Sequence, residues 1–246
     1  MTADDTTAAG GGPVPETRDD APGRRELLWI GVRALVPWIA EVVTPGRRVV
    51  AATVLLVIAV AVTIPLRALL LRADDSVGDE TALAAVLGLA AGAGASAILL
   101  TIWMARASRR LPTGSGDHPR WREAALIDQA VDAAGRVELA PGTADRMARA
   151  ARRGIAGAAV AVPGASLLVV AILGVIPAWL LQGEASVQML MSLAYLFLGL
   201  SALWTSARTA GRMALLRDAA DAELALPESE RSVAPPVEPP HGSRLP

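Results

Sequence analysis

Apolar residues along this chain gather into four blocks, at 49–66, 81–105, 155–181 and 187–207, and the charged residues gather between them. A helix rises about 1.5 Å per residue, so about 20 apolar residues cross a hydrocarbon core. Each block is long enough. The pattern predicts an all-α integral membrane four-helix bundle built from two transmembrane hairpins. The first hairpin pairs a span at 47–72 with one at 81–105 through an external acidic turn, 73–80. The second pairs 155–181 with 187–207 through the short turn 182–186. Pro163 and Pro177 fall inside the third block, where each removes a backbone donor, so that span is expected to bend rather than end.

The stretches outside the blocks carry different patterns. Residues 1–22 are rich in Thr, Ala, Gly, Pro and Asp without apolar periodicity, which reads as a disordered tail. Within 23–46, Leu28, Leu35, Ile39 and Val42 recur at helical spacing with Trp29 and Trp38, but Arg25, Arg33, Pro37 and Glu41 interrupt too often for a span. That segment is expected to be an amphipathic helix in the interface plane. Residues 106–154 read as a small helical loop. Asp117 and Thr143 are candidate caps, and Trp121, Leu126, Ala130, Val131 and Ala134 form an apolar stripe. A helical extension follows at 208–226, then a Pro-rich tail, 227–246, which is expected to be disordered.

Arginine sets the expected orientation. Clusters precede the first span, fill 106–154 and follow the fourth span, whereas 182–186 has none and 67–80 is net acidic. By the positive-inside bias both termini and the 106–154 loop are cytoplasmic. Arg146, Arg149 and Arg153 fall on one helical face, and Arg106, Arg109 and Arg110 follow the second span, so these six are the candidate contacts to anionic lipid.

Ala84, Gly88, Gly92 and Ser96 recur every fourth residue in the second block. Such a stripe lets two helix backbones approach closely, and it is the candidate packing seam of the bundle. The pairs Arg47-Arg48 and Arg152-Arg153, with Ile64-Pro65 and Ile176-Pro177, also suggest a duplicated hairpin, although the spacing within the two copies differs.

Composition narrows the chemistry. All 23 basic residues are Arg, which together with abundant Ala, Gly and Pro fits a bacterial, GC-rich genome. With no cysteine, disulfides, thiolate metal sites and thiol catalysis are excluded. The start of the chain is acidic rather than basic and apolar, so no cleaved signal peptide is expected. His118 and His241 lack partners at ligand spacing, and no phosphate loop, nucleophile elbow or carboxylate pair lies within a block. No catalytic residue, cofactor, metal or nucleic-acid partner is expected. The leading expectation is a non-enzymatic scaffold or accessory subunit of the bacterial cell membrane, bound to a protein partner or to further copies of itself. A small transporter or channel component is the alternative, and it would require Thr101, Ser192, Ser201 and Thr205 to face one cavity. An intramembrane enzyme is the third reading.

Overall fold

The computed structural model describes residues 22–73, 79–111, 120–182 and 187–233. The described chain is helical: α1 (Arg24–Val42), α2 (Pro45–Ala73), α3 (Asp79–Arg109), α4 (Arg120–Ala130), α5 (Ala144–Val160), α6 (Val162–Gln182) and α7 (Val187–Ala225). Among the described residues no strand forms, and Val131 and Val137 make an isolated antiparallel bridge. Four helical stretches are long and apolar enough to cross a membrane: Pro45–Arg72, Ala84–Arg109, Ala144–Leu173 and Met189–Ala225. The candidate caps and tails at 1–21, 112–119 and 234–246, and the turns at 74–78 and 183–186, lie outside the described residues, Asp117, His118 and His241 with them.

Helices α2 and α3 pack antiparallel through two matched stripes of small side chains. Ala84 and Ser96 are buried on α3, as are Ala51 and Ala59 on α2. A Cβ on Gly88 would overlap the Thr63 hydroxyl and crowd the Ala59 carbonyl oxygen, and one on Gly92 would overlap the carbonyl oxygen of Leu55. Two polar bonds bracket these contacts. The Ser96 hydroxyl donates to the Ala51 carbonyl at 2.7 Å, and the Thr63 hydroxyl donates to the Ala84 carbonyl at 3.3 Å. All four residues of the candidate seam therefore meet α2 positions spaced every four residues, at 51, 55, 59 and 63. Small side chains matter here because large ones would hold the backbones apart.

The third apolar block is divided. Helix α5 starts well before it and ends at Val160, Ala161 forms the joint, and α6 begins at Val162 with Pro163 in its first turn. Proline is tolerated there because a first-turn N–H has no helical acceptor. Thr143 precedes α5 as expected of a cap, but its hydroxyl donates back to the Ala140 carbonyl at 2.6 Å and makes no capping bond. Helix α6 then packs along the first half of α7, with Gly199 facing Val169 and the carbonyl of Ala165.

Most of the protein-buried core lies at one end of the molecule. Leu35 of α1, Val131 after α4, Met147, Ala151 and Ile155 of α5, and Ala210, Met213, Ala214, Leu216 and Ala220 of α7 form one cluster. The other end is clad in large exposed apolar side chains. Phe197 is 72% exposed, and Leu56, Ile64, Ile98, Val170 and Leu190 are likewise open. Only 11% of the apolar window of α2 is covered by protein, so its surface needs another apolar neighbour to escape water.

Leucine at Gly88 or Gly92 should separate α2 from α3, at a cost of about 1–3 kcal/mol typical of overpacking, whereas Ala90→Leu should be tolerated because Ala90 is exposed. Thermal unfolding in detergent is the check. Two glycine variants melting with the parent would show that this contact does not hold the pair together.

Candidate functional site at the polar end

Helix α1 crosses α7 at a notch made by two glycines. A Cβ on Gly31 would overlap the Ala207 carbonyl and approach the Gly211 nitrogen, and one on Gly211 would overlap the Leu27 carbonyl. Backbone lies directly on backbone here. One end of α1 meets α7 near Trp204 and Arg208, where Leu27 and Leu28 share a cavity with them. At the other end Val42 and Val43 bury Met104, with Trp103, Ala107 and Val160 around them. Both ends of α1 thus reach residues where the apolar blocks stop. The helix lies across the end of the bundle, burying Leu27, Gly31 and Leu35 and leaving Trp29, Val32 and Val36 exposed on the opposite side.

Arginines satisfy the carbonyls at three helix ends, groups that have no acceptor role left inside their own helices. Arg47 donates to the Val42 carbonyl at 2.5 Å and Arg48 to that of Val43 at 3.1 Å, turning the chain from α1 into α2. The Arg47 guanidinium also sits 5.6 Å from the Trp103 ring centre. Arg231 closes the end of α7 by donating to the carbonyls of Leu224 and Leu226.

The third set binds the chain leaving α4. Arg212 donates to the carbonyls of Val131 at 2.6 Å and Asp132 at 3.0 Å and reaches Asp128 at 3.3 Å, while Arg208 donates to the Ala133 carbonyl at 2.9 Å. The turn they hold is built on Asp132, whose carboxylate accepts the N–H of Ala134 at 2.8 Å and of Arg136 at 2.9 Å. Gly135 has φ +90°, a region most side chains avoid, and it packs beneath Leu27 and Leu215. The Arg136 N–H is the main influence lowering the Asp132 pKa, reinforced by the amides of Ala134 and Gly135. Farther along α7, Asp221 receives both bonds of a pair with Arg152 of α5, at 2.8 and 3.0 Å.

The candidate lipid-contacting arginines separate into two groups. Arg106, Arg109 and Arg110 are exposed at the end of α3. Arg146, Arg149 and Arg153 are half-buried on α5, and Arg149 pairs with Asp145 at 2.7 Å. Helices α3 and α5 pack on each other, so both groups share the polar end. Of the hydroxyls proposed to line a transport path, Thr101, Ser201 and Thr205 donate to carbonyls of their own helices. Cavities among the described residues lie between α1, the α4 to α5 segment, α5 and α7 from Trp204 on.

Sequence reading passed over Gly31, Gly211 and the carbonyl-binding roles of Arg208 and Arg212. The spacing Ala207-x-x-x-Gly211 was a legible signal for a close helix contact, and Gly31 within an amphipathic helix was its counterpart. No family model matches the chain, and no curated protein or solved structure matches it.

Arg212→Gln should loosen α4 from α7, costing about 1–3 kcal/mol for bonds from a charged donor, and Arg208→Gln should cost less. Melting in detergent measures both. The Asp132 turn should also respond to acid. Its lowered pKa makes the turn's contribution complete above the ordinary carboxylate range and lost as pH falls through the folded value. The protection of the Ala134 and Arg136 amides, taken relative to the intrinsic exchange rate at each pH, should fall on acidification and in Asp132→Ala at neutral pH. Unchanged protection in both would contradict the assignment.

Proposed function

We propose that this protein is a non-enzymatic multi-pass scaffold or accessory subunit of a bacterial cell membrane. The four apolar helical stretches span the bilayer as two hairpins. Both termini and the 106–154 segment are cytoplasmic, the anionic inner leaflet meets the arginines at 106, 109, 110, 146, 149 and 153, and the polar end presents a surface to a protein partner or to another copy.

The observation that carries this reading is the division of labour along α7. Its first half is clad in exposed Leu190, Tyr195, Phe197 and Leu198, and its second half is locked by Gly211, Arg208, Arg212 and Asp221 into a compact polar assembly with α1, α4 and α5. The elaborated part of the molecule is a helical platform at the edge of the bundle. A transport reading draws less support, since Thr101, Ser201 and Thr205 spend their hydroxyls on their own helices, a common way for such groups to be satisfied within a membrane.

Two measurements test the reading. A reporter active only outside the cell should be silent when fused after Leu226 or inserted at 114–116 and active when inserted near Gly183; activity at 114–116 would overturn the topology. Cross-linking in native membranes followed by mass spectrometry should then recover a stoichiometric partner, or a second copy of this chain, joined through the polar end. Recovery of the chain as an isolated monomer would contradict the scaffold role.

A further inference from the structure

A cleft of about 430 Å³ opens between α1, α5 and α7 at the polar end. Its walls are of two kinds. Ile30, Trp38 and Ile155 give it an apolar side, and Ile155 is also where the third apolar block begins. Its rim brings together Arg33, Arg152 and Arg217, one arginine from each of three helices, with the carboxylates of Glu41 and Asp218 among them.

The charges on this rim are unequally engaged. Arg152 pairs with Asp221 and Arg217 with its neighbour Asp218, yet each guanidinium has five N–H donors and keeps some for another acceptor. Arg33 stands 5.5 Å from the exposed Trp29 ring centre and makes no ion pair among the described residues. Glu41 likewise has none. Pro37 adds an acceptor. It has no N–H to return to the Arg33 carbonyl one turn back, so the turn forming the cleft wall carries a carbonyl without its helical donor. Donors for an anion, acceptors for an ammonium group and an apolar wall therefore converge at the level where the spans end.

We propose that this cleft binds the head of a zwitterionic phospholipid of the phosphatidylethanolamine type. The phosphodiester is held by Arg33, Arg152 and Arg217, the ammonium by Glu41 and the Arg33 carbonyl, and the first part of the acyl chains lies along Trp38 and Ile155. Near balance between three arginines and the acidic groups beside them favours a zwitterion over a headgroup with net charge. This site deepens the membrane reading and rests on it, but it is measured in detergent, so a failed topology experiment and a failed binding experiment are separate results.

The test is a titration of the full chain in a neutral detergent with short-chain phosphatidylethanolamine, read by thermal unfolding and by native mass spectrometry of the bound lipid. Saturable stabilisation with retention of one lipid is expected. The double variant Arg33→Gln/Arg217→Gln should weaken binding about tenfold or more, the effect of losing charge-assisted bonds, while Arg25→Gln, exposed in the first turn of α1 and outside the cleft, should bind as the parent does. Glu41→Gln should shift preference from phosphatidylethanolamine toward short-chain phosphatidylglycerol. Equal binding by the double variant and the parent, equal weakening by Arg25→Gln, or no saturable binding would overturn the site. Equal protection by glycerophosphoethanolamine or by inorganic phosphate would overturn the lipid assignment and mark a site for free phosphate compounds.

Discussion

Helix α7 joins two unlike surfaces, one clad in exposed apolar side chains and one packed against other helices, in one unbroken rod. Its 39 residues rise about 58 Å, nearly twice the thickness of a bilayer's hydrocarbon core. A backbone in that core must bond to itself, which favours continuous helix. The first half of α7 accordingly bonds the Ser201 and Thr205 hydroxyls to its own carbonyls and turns Leu190, Phe197 and Trp204 outward. From Arg208 on, the rod becomes the post to which the rest of the polar end is fastened. α1 crosses it at Gly211, α5 runs beside it through Arg152 and Asp221, and the turn after α4 hangs from Arg208 and Arg212.

Two devices make that fastening possible. Glycine at positions 31 and 211 removes the side chains that would hold α1 and α7 apart, just as Gly88 and Gly92 do between α2 and α3. Arginine then supplies donors to carbonyls that helix ends leave open, at α1, after α4 and at α7. The long arginine side chain suits this work, since it covers apolar surface with its stem while its planar head reaches two oxygens at once. With Arg in place of Lys throughout, the same residue type thus serves as a helix stop and, in the proposed membrane topology, as a positive flank.

Much of the helical layout was legible because it depends on local pattern. The four apolar blocks, the small-residue stripe at 84, 88, 92 and 96, and helices on either side of Gly142 could be read from spacing alone. What escaped depends on distant partners. Arg47 and Arg48 read as flanking charges, but they bind α1 carbonyls five residues back. Arg212 carries no mark in its neighbourhood that it will meet Val131, 81 positions away. The α1 segment showed its apolar stripe in sequence, but only the fold reveals that one face grips α7 while Trp29, Val32 and Val36 are left outward. The cleft at Arg33, Arg152 and Arg217 joins three helices, so no single stretch of sequence could disclose it.

The central claim is that one half of α7 is wrapped by lipid and the other by protein and water. The chain has no native cysteine, so single cysteines can report position without background. Phe197→Cys and Leu56→Cys, carrying an environment-sensitive fluorophore in reconstituted bilayers, should emit to the blue and be quenched by nitroxides on lipid tails. Ala222→Cys should be quenched by aqueous iodide instead. Iodide quenching of Phe197→Cys as strong as that of Ala222→Cys would contradict the claim.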